Sequence, residues 1–317
     1  MKLVVLDGHA LNPGDVSWDG ISALADEFTV YDRTPPDLVA ERIGNADAIL
    51  LNKVRITKEI LSVCPNLRYI GVLATGYNVV DVASCAEAGI VVTNIPSYST
   101  DAVAQHIFAL ILHFASRVGE HSDSVARGDW IKCPDFCYWV SPLSEISGKT
   151  LGIFGFGNIG RKVAQIAHAF GMNVIIHVHS PSSFTGGEKS VSVDELFSES
   201  DYLALAAPLT PETEKIVSER TLSLMKRSAV LVNTARGGLV DERAVRAALD
   251  SGALSGYAAD VLLSEPMDVA SQLAGAPRCV ITPHVAWAAK ETRERLLGIA
   301  RENIKSFLAG SPVNVVR

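Results

Sequence analysis

Three residues of complementary chemistry stand just past three apolar, strand-like runs: Arg236 after "AVLVNTA", Glu265 after "YAADVLLS" and His284 after "CVITP". An ionised guanidinium is rarely buried without a partner, so the arginine of "NTARGGLVDE" reads as a group that waits for a ligand. Its planar fork suits a carboxylate bound through two hydrogen bonds and also polarises a carbonyl beside that carboxylate. Gly237 and Gly238 are expected to clear space next to it. A histidine donates a proton near neutrality, and a neighbouring carboxylate fixes an imidazole's orientation and favours its charged form. Taken singly, His284 could be a satisfied loop histidine and Glu265, before Pro266, a solvated turn. Taken together with a hydride source, the set suits reduction of a 2-keto acid.

The hydride source is indicated by "GFGNIG", with Gly155, Gly157 and Gly160 between a predicted strand, "TLGIFGFG", and a predicted helix, "RKVAQIAHAFG". That placement is what a dinucleotide-binding turn needs: one glycine for the tight turn, one for approach of pyrophosphate to backbone N–H groups, one for helix-on-strand packing. The helix N-terminus then faces the phosphates. A carboxylate about 20 residues further on usually binds the adenosine ribose and repels a 2′-phosphate. Val178 stands near that place, followed by His179, Ser180 and Ser182, which could donate to a phosphate. The cofactor expected is NAD, with NADP open because Val178 replaces the acidic residue.

The elements that must carry these groups alternate. "KLVVLDG", "FTVYD", "DAILLN", "LRYIGVLATG" and "GIVVTNIP" are short β-branched runs separated by helix-like stretches, and a second series begins near Lys149. Alternation of this kind implies parallel sheets with crossover helices, whose ligands bind beyond the carboxyl ends of the strands. The length of 317 residues is enough for two cores. The stretch 97–130 sustains helical periodicity for about five turns and is expected to form a long helix leaving the first domain and entering the second. The chain is expected to leave a first domain, 1–99, and to return to it over 288–317, with a second domain that carries the glycine-rich turn, 100–287, inserted between. A net charge of −7 disfavours a phosphate-backbone partner, so no nucleic acid is expected. No stretch approaches the ~20 uninterrupted apolar residues of a membrane span, and "MKLVVLDG" meets Asp7 too early for a signal-peptide core. A cytoplasmic protein is expected. Five scattered cysteines read as reduced thiols, and Cys133 and Cys137 lack the further ligands of a zinc site, so no metal is expected.

In order and spacing, "GFGNIG", "NTARGGLVDE", "AADVLLSEP" and "TPHVAW" resemble the D-isomer-specific 2-hydroxyacid dehydrogenases. "GVLATGYNVVD" and "STDAVAQHIFALIL" extend the resemblance over nearly the whole chain. It implies two doubly wound α/β domains, a Rossmann-type dinucleotide-binding domain inserted into a flavodoxin-like substrate domain. It implies NAD(P)-linked reduction of a small 2-keto acid to a D-2-hydroxy acid, most like the members acting on hydroxypyruvate and D-glycerate. Alternatives are glyoxylate, a lactate-type or phosphorylated acid, or a nucleotide-sensing scaffold. Residue by residue, the resemblance makes Arg236 the substrate clamp, Glu265 the partner of histidine and His284 the proton donor. Asn158 and Ile159 match positions at the pyrophosphate, Asp260 an aspartate near the nicotinamide, and Ala207, Thr234 and Ala235 cofactor-contacting backbone. Asp101 and Val103 match the helix start near the nicotinamide, and Leu73, Ala74, Thr75 and Gly76 the loop whose N–H groups receive the substrate carboxylate. Gln105 stands where many relatives carry Glu.

Two further expectations concern the substrate that the resemblance implies and the assembly. Asn52, Lys53 and Arg55, polar or basic at a strand end, are candidates to bond a hydroxyl on the third carbon of the substrate. The apolar helix from Ala102 to Ala115 offers more hydrophobic surface than one domain is expected to bury, which points to a homodimer; "CPDFCYWVSP" is a candidate either to cover the site or to form a subunit contact.

Overall fold

The computed structural model describes residues 1–178 and 187–316. The chain divides into two compact units, Met1–Ser99 with Trp287–Arg317, and Thr100–Ala286. Trp287, expected in the inserted unit, belongs to the other one, where it packs against the cluster around Leu296 and Leu297.

In the first unit β1 (Lys2–Val5), β2 (Glu27–Val30), β3 (Ala48–Leu51), β4 (Tyr69–Val72) and β5 (Val91–Thr93) form one sheet in the order β2-β1-β3-β4-β5. Every pair is parallel. The apolar runs are continuous because both faces are covered. Leu3, Val5, Ala48 and Leu50 pack toward α11 (Lys290–Leu308), through Leu296, Leu297, Ala300 and Ile304. The alternate residues Val4, Leu6, Ile49 and Leu51 join the opposite cluster, which includes Val39, Ile43, Leu61 and Cys85. Those last four come from α2 (Val39–Ile43), α3 (Lys58–Ser62) and α4 (Val82–Glu87), which follow the single-turn α1 (Asp19–Ser22). The tail after α11 docks as an antiparallel edge: Val315 pairs with Thr93, and the Val316 N–H donates to Val92 O at 2.9 Å.

The second unit opens with α5 (Thr100–Ser116) and α6 (Val118–Ala126). The single long helix expected here is two, because Arg117 takes the left-handed conformation, φ 51°, and breaks the hydrogen-bonded run. All of α5 lies within this unit. Val103, Ala104, Ile107, Phe108, Leu110, Ile111, Phe114 and Ala115 are buried in its core. The unit therefore absorbs the apolar surface of α5, and the dimerisation argument built on that surface does not hold.

The remaining elements are β6 (Thr150–Phe154), α7 (Asn158–Ala169), β7 (Asn173–His177), β8 (Lys189–Ser190), α8 (Val193–Glu199), β9 (Tyr202–Leu205), α9 (Glu219–Leu224), β10 (Val230–Asn233), α10 (Glu242–Asp250), β11 (Gly256–Ala259) and β12 (Cys279–Ile281). The strands order as β12-β11-β10-β9-β6-β7-β8, all parallel. Helices α5 and α7 cover the face carrying Leu151 and Ile153, and α8, α9 and α10 the face carrying Phe154 and Leu203. From β6 the chain winds one way to β8 and then, from β9, the other way to β12. The crevice at the carboxyl ends of β6 and β9 is where such sheets take ligands. Among the described residues no single helix is long and apolar enough to cross a membrane. The pair α5 and α6 meets that test only jointly, across a 56° bend.

Candidate active site

The glycine-rich turn sits at that crevice. Gly155 has φ 95°, and a methyl group on it would meet the backbone N and Cα of Ala207 at 2.7 Å, so only glycine lets the ends of β6 and β9 close up. A methyl on Gly160 would meet the carbonyl oxygen of Gly155 at 2.4 Å, which makes Gly160 the point where α7 touches the strand. Gly157 differs: a methyl there meets nothing within 4 Å, and the residue caps α7 with its first-turn N–H groups directed outward. Open space in front of a twelve-residue helix start fits a pyrophosphate. Asn158 is exposed at this start, and Ile159 packs its side chain into the core behind it. Lys162 of α7 ties down Asp101 of α5 at 2.9 Å, and Val103 lies in the core. Val178 is half-buried at the end of β7, against the same core. His179 lies outside the described residues, as do Ser180 and Ser182.

Arg236 follows β10 and is exposed. Its Nη1 donates to Ala235 O at 2.6 Å, and among the described residues the guanidinium has no carboxylate partner. Asn233, fully buried at the strand end, shapes the turn that presents it. Its Oδ1 accepts the Ala235 N–H at 3.0 Å and its Nδ2 donates to Arg236 O at 2.9 Å, fixing Thr234 and Ala235 between them. The two glycines do not clear space for the guanidinium. A methyl on Gly237 would strike Leu262 C and O at 2.0 Å, and one on Gly238 would meet the Leu209 side chain at 2.7 Å. Gly237 instead lets the Arg236 turn press against the loop that carries Glu265.

That loop is held at two more points. Leu263 N–H donates to Glu242 Oε1 at 2.9 Å and Leu262 N–H to Glu265 Oε1 at 3.0 Å. The second oxygen of Glu265 lies 2.7 Å from His284 Nδ1. With Nδ1–H donated to the carboxylate, Nε2 is the nitrogen left to exchange a proton with a ligand. The His284 side chain is 31% exposed, so the ring is reachable.

His284 has φ 53°, a conformation unusual for a residue with a side chain, and a buried carboxylate holds it. Asp260, 1% exposed, accepts Val285 N–H at 2.9 Å and Thr282 O–H at 2.5 Å on Oδ1, and Ala286 N–H at 2.8 Å on Oδ2. Since the carboxylate can only accept, Thr282 donates to it and receives from His106 Nε2 at 2.9 Å. A chain of donors thus runs from α5 to the turn bearing His284. Asp260, expected among the cofactor contacts, is spent on that turn. His106, Thr282, Asn233 and Glu242 are the supports the sequence analysis missed. Only Asn233 carried a local signal, an Asn at a strand end that can bond the backbone two residues on.

In the first unit, the loop after β4 leaves unequal donors. Leu73 N–H is committed to Leu51 O at 2.7 Å, extending the ladder, so it is not free for a carboxylate. Ile95 N–H donates to Ala74 O at 3.0 Å, and Thr75 Oγ1 donates to Ile95 O at 2.8 Å. Among the described residues the N–H groups of Thr75 and Gly76 have no protein acceptor. Asn52 is 6% exposed, and its backbone N–H donates to Asp7 Oδ1 at 2.7 Å.

A nucleotide crevice followed by an arginine and a histidine–carboxylate pair, on a doubly wound sheet, defines a nicotinamide-dependent oxidoreductase. Residues 108–286 match the family described as D-isomer specific 2-hydroxyacid dehydrogenase, NAD binding domain. The chain belongs to this family. It is 46% identical to a hydroxypyruvate reductase of Blautia hydrogenotrophica, over 100% of this chain and 99% of that one. It is 39% identical to a glycerate dehydrogenase of Methylorubrum extorquens, covering 92% of each. Among solved structures, an acyclic imino acid reductase in complex with NADPH and D-Arg superposes with a TM-score of 0.87, at 33% identity over 100% of both chains. The protein is an NAD(P)-dependent oxidoreductase of the 2-hydroxyacid dehydrogenase class.

Proposed function

We propose that this chain reduces hydroxypyruvate to D-glycerate. The observation that carries the mechanism is the 2.7 Å contact between Glu265 and His284 Nδ1. The nicotinamide, when bound, supplies or accepts the hydride. Its pyrophosphate is assigned to the outward N–H groups at Gly157, Asn158 and Ile159, with Ala207, Thr234 and Ala235 as flanking backbone and Val178 near the ribose. Arg236 clamps the substrate carboxylate and draws charge from the carbonyl oxygen. His284 gives its Nε2 proton to the oxygen that becomes the hydroxyl, and Glu265 keeps the ring in place. Asp260 acts through the turn beneath His284. Within the first unit, the N–H groups of Thr75 and Gly76 are donors suited to an anionic group.

The identity to a full-length hydroxypyruvate reductase supports the substrate. Asn52, 6% exposed, stays a candidate contact to a third-carbon hydroxyl, and glyoxylate, which lacks that hydroxyl, is the second reading. Initial rates of cofactor oxidation with hydroxypyruvate, glyoxylate and pyruvate, each against NADH and NADPH, decide between them, with His284→Ala as control. Hydroxypyruvate turnover that survives in the control would sink the assignment of His284.

We also propose a cytoplasmic homodimer. Cys64 and Cys85 are buried in the apolar cluster under α3 and α4, where a cysteine packs as a small hydrophobe, and this fits reduced thiols. Trp130, Ile131, Phe136 and Trp139 are 51%, 88%, 89% and 70% exposed on the segment after α6, an apolar patch that a second subunit would cover. A monomer mass by light scattering would refute it.

A further inference from the structure

The first unit has a switch point of its own. Strands β1 and β3 are neighbours, but the chain leaves β1 for β2 on one side and β3 for β4 on the other. The loops after β1 and β3 therefore part, and open α/β sheets take ligands in such a crevice. A cleft of about 560 Å³ is found here, lined by Asp7 after β1, Arg33 and Thr34 after β2, and Lys53, Arg55 and Thr57 after β3. Val39, Val54 and Ile60, members of the core cluster beneath α2 and α3, give it an apolar floor.

Its charge is anomalous for a protein of net charge −7. Arg33, Lys53 and Arg55 are all exposed, and among the described residues none forms an ion pair. The single carboxylate in the lining, Asp7, is already engaged by the N–H groups of Asn52 at 2.7 Å and Lys53 at 2.6 Å. The wall bearing Arg33 is braced: Arg42 donates to Arg33 O and, at 3.0 Å, to Thr34 Oγ1, while its guanidinium stacks over Tyr31, 4.3 Å from the ring centre. We propose that this cleft, lined by residues of the first unit alone, binds a small organic polyanion carrying phosphate or several carboxylates. Two guanidinium forks and an ammonium recognise the charged groups, and the apolar floor takes the carbon skeleton.

The test is calorimetric titration of the full chain, saturated with NADH to occupy the nucleotide crevice, with inorganic pyrophosphate and in parallel with succinate. Binding of one or both is expected, the tighter ligand telling phosphate from carboxylate as the source of charge. Arg33→Ala and, separately, Arg55→Ala should each weaken that binding about tenfold or more. Turnover of Arg33→Ala without added anion should stay at the wild-type rate. Absence of heat with both probes, or wild-type affinity in both variants, would overturn the proposal.

Discussion

Asp260→Asn separates a residue that positions His284 from one that merely fills space. In the native turn, two carboxylate oxygens accept from Thr282 O–H, Val285 N–H and Ala286 N–H. An amide offers one accepting oxygen and a donating NH2. If the oxygen stays on Ala286, the NH2 opposes the Val285 N–H; if it turns, the Ala286 N–H is opposed instead. Either way one buried backbone donor loses its acceptor, at about 1–3 kcal/mol. His284 feels this directly, because its left-handed conformation already costs about 1 kcal/mol and the bonds to the next two residues hold it there. A misplacement worth about 2–3 kcal/mol corresponds to a fall in kcat of about 30- to 150-fold. Steady-state kinetics together with cofactor titration by fluorescence read the effect. The expected result is a loss in kcat, with KM and cofactor affinity within about threefold of wild type. Thr282→Val, which leaves both backbone bonds, should lose about tenfold or less. A kcat within twofold of wild type for Asp260→Asn, or a loss confined to cofactor affinity, would refute the positioning argument.

The glycines make opposite predictions. Gly157→Ala should leave Tm unchanged, since its methyl enters open space, yet weaken NADH binding about tenfold or more because that space is assigned to the pyrophosphate. Gly160→Ala should lower stability by about 1–3 kcal/mol in denaturant titrations, because its methyl runs into the Gly155 carbonyl. Asp201 supplies a pH signature. Burial pushes its carboxyl up, but the Thr150 N–H and Lys226 outweigh it and hold it below its ordinary value. Its stabilisation is therefore complete above the unfolded pKa of about 3.9 and disappears as pH falls through the lower folded value. Asp201→Asn should accordingly melt below wild type at pH 7, with the gap closing in acid. Trp139→Glu should shift the mass measured by light scattering toward the monomer, while the circular dichroism spectrum stays that of the wild type.

What could be read from the letters was whatever a residue announces through its own type or its near neighbours. Alternating apolar runs announce parallel strands, GxGxxG between a strand and a helix announces a nucleotide turn, and a lone arginine after a buried strand announces an exposed guanidinium with no carboxylate partner among the described residues. Supports acting across the fold carried no such signal. His106 and Thr282 are 176 residues apart in sequence and meet only because α5 lies against the sheet. Gly237 was misread for the same reason: the backbone it admits, at Leu262, comes from the next crossover. The break at Arg117 was invisible because Arg117 is neither glycine nor proline, so nothing in its type marks the left-handed dihedral that interrupts the helix.

The first unit draws its sheet from residues 1–99 and the helix covering one face from α11, near the other end of the chain. During synthesis, Leu3, Val5, Leu50 and Tyr69 therefore leave the ribosome long before Leu296, Leu297 and Ile304 arrive to cover them. The second unit holds all of its own core and can fold first, although it is made later. Until then the nascent protein carries an open apolar sheet face and an unpaired β5 edge, the two features that invite aggregation. Its yield in a cell should follow chaperone capacity more closely than the stability of the finished protein.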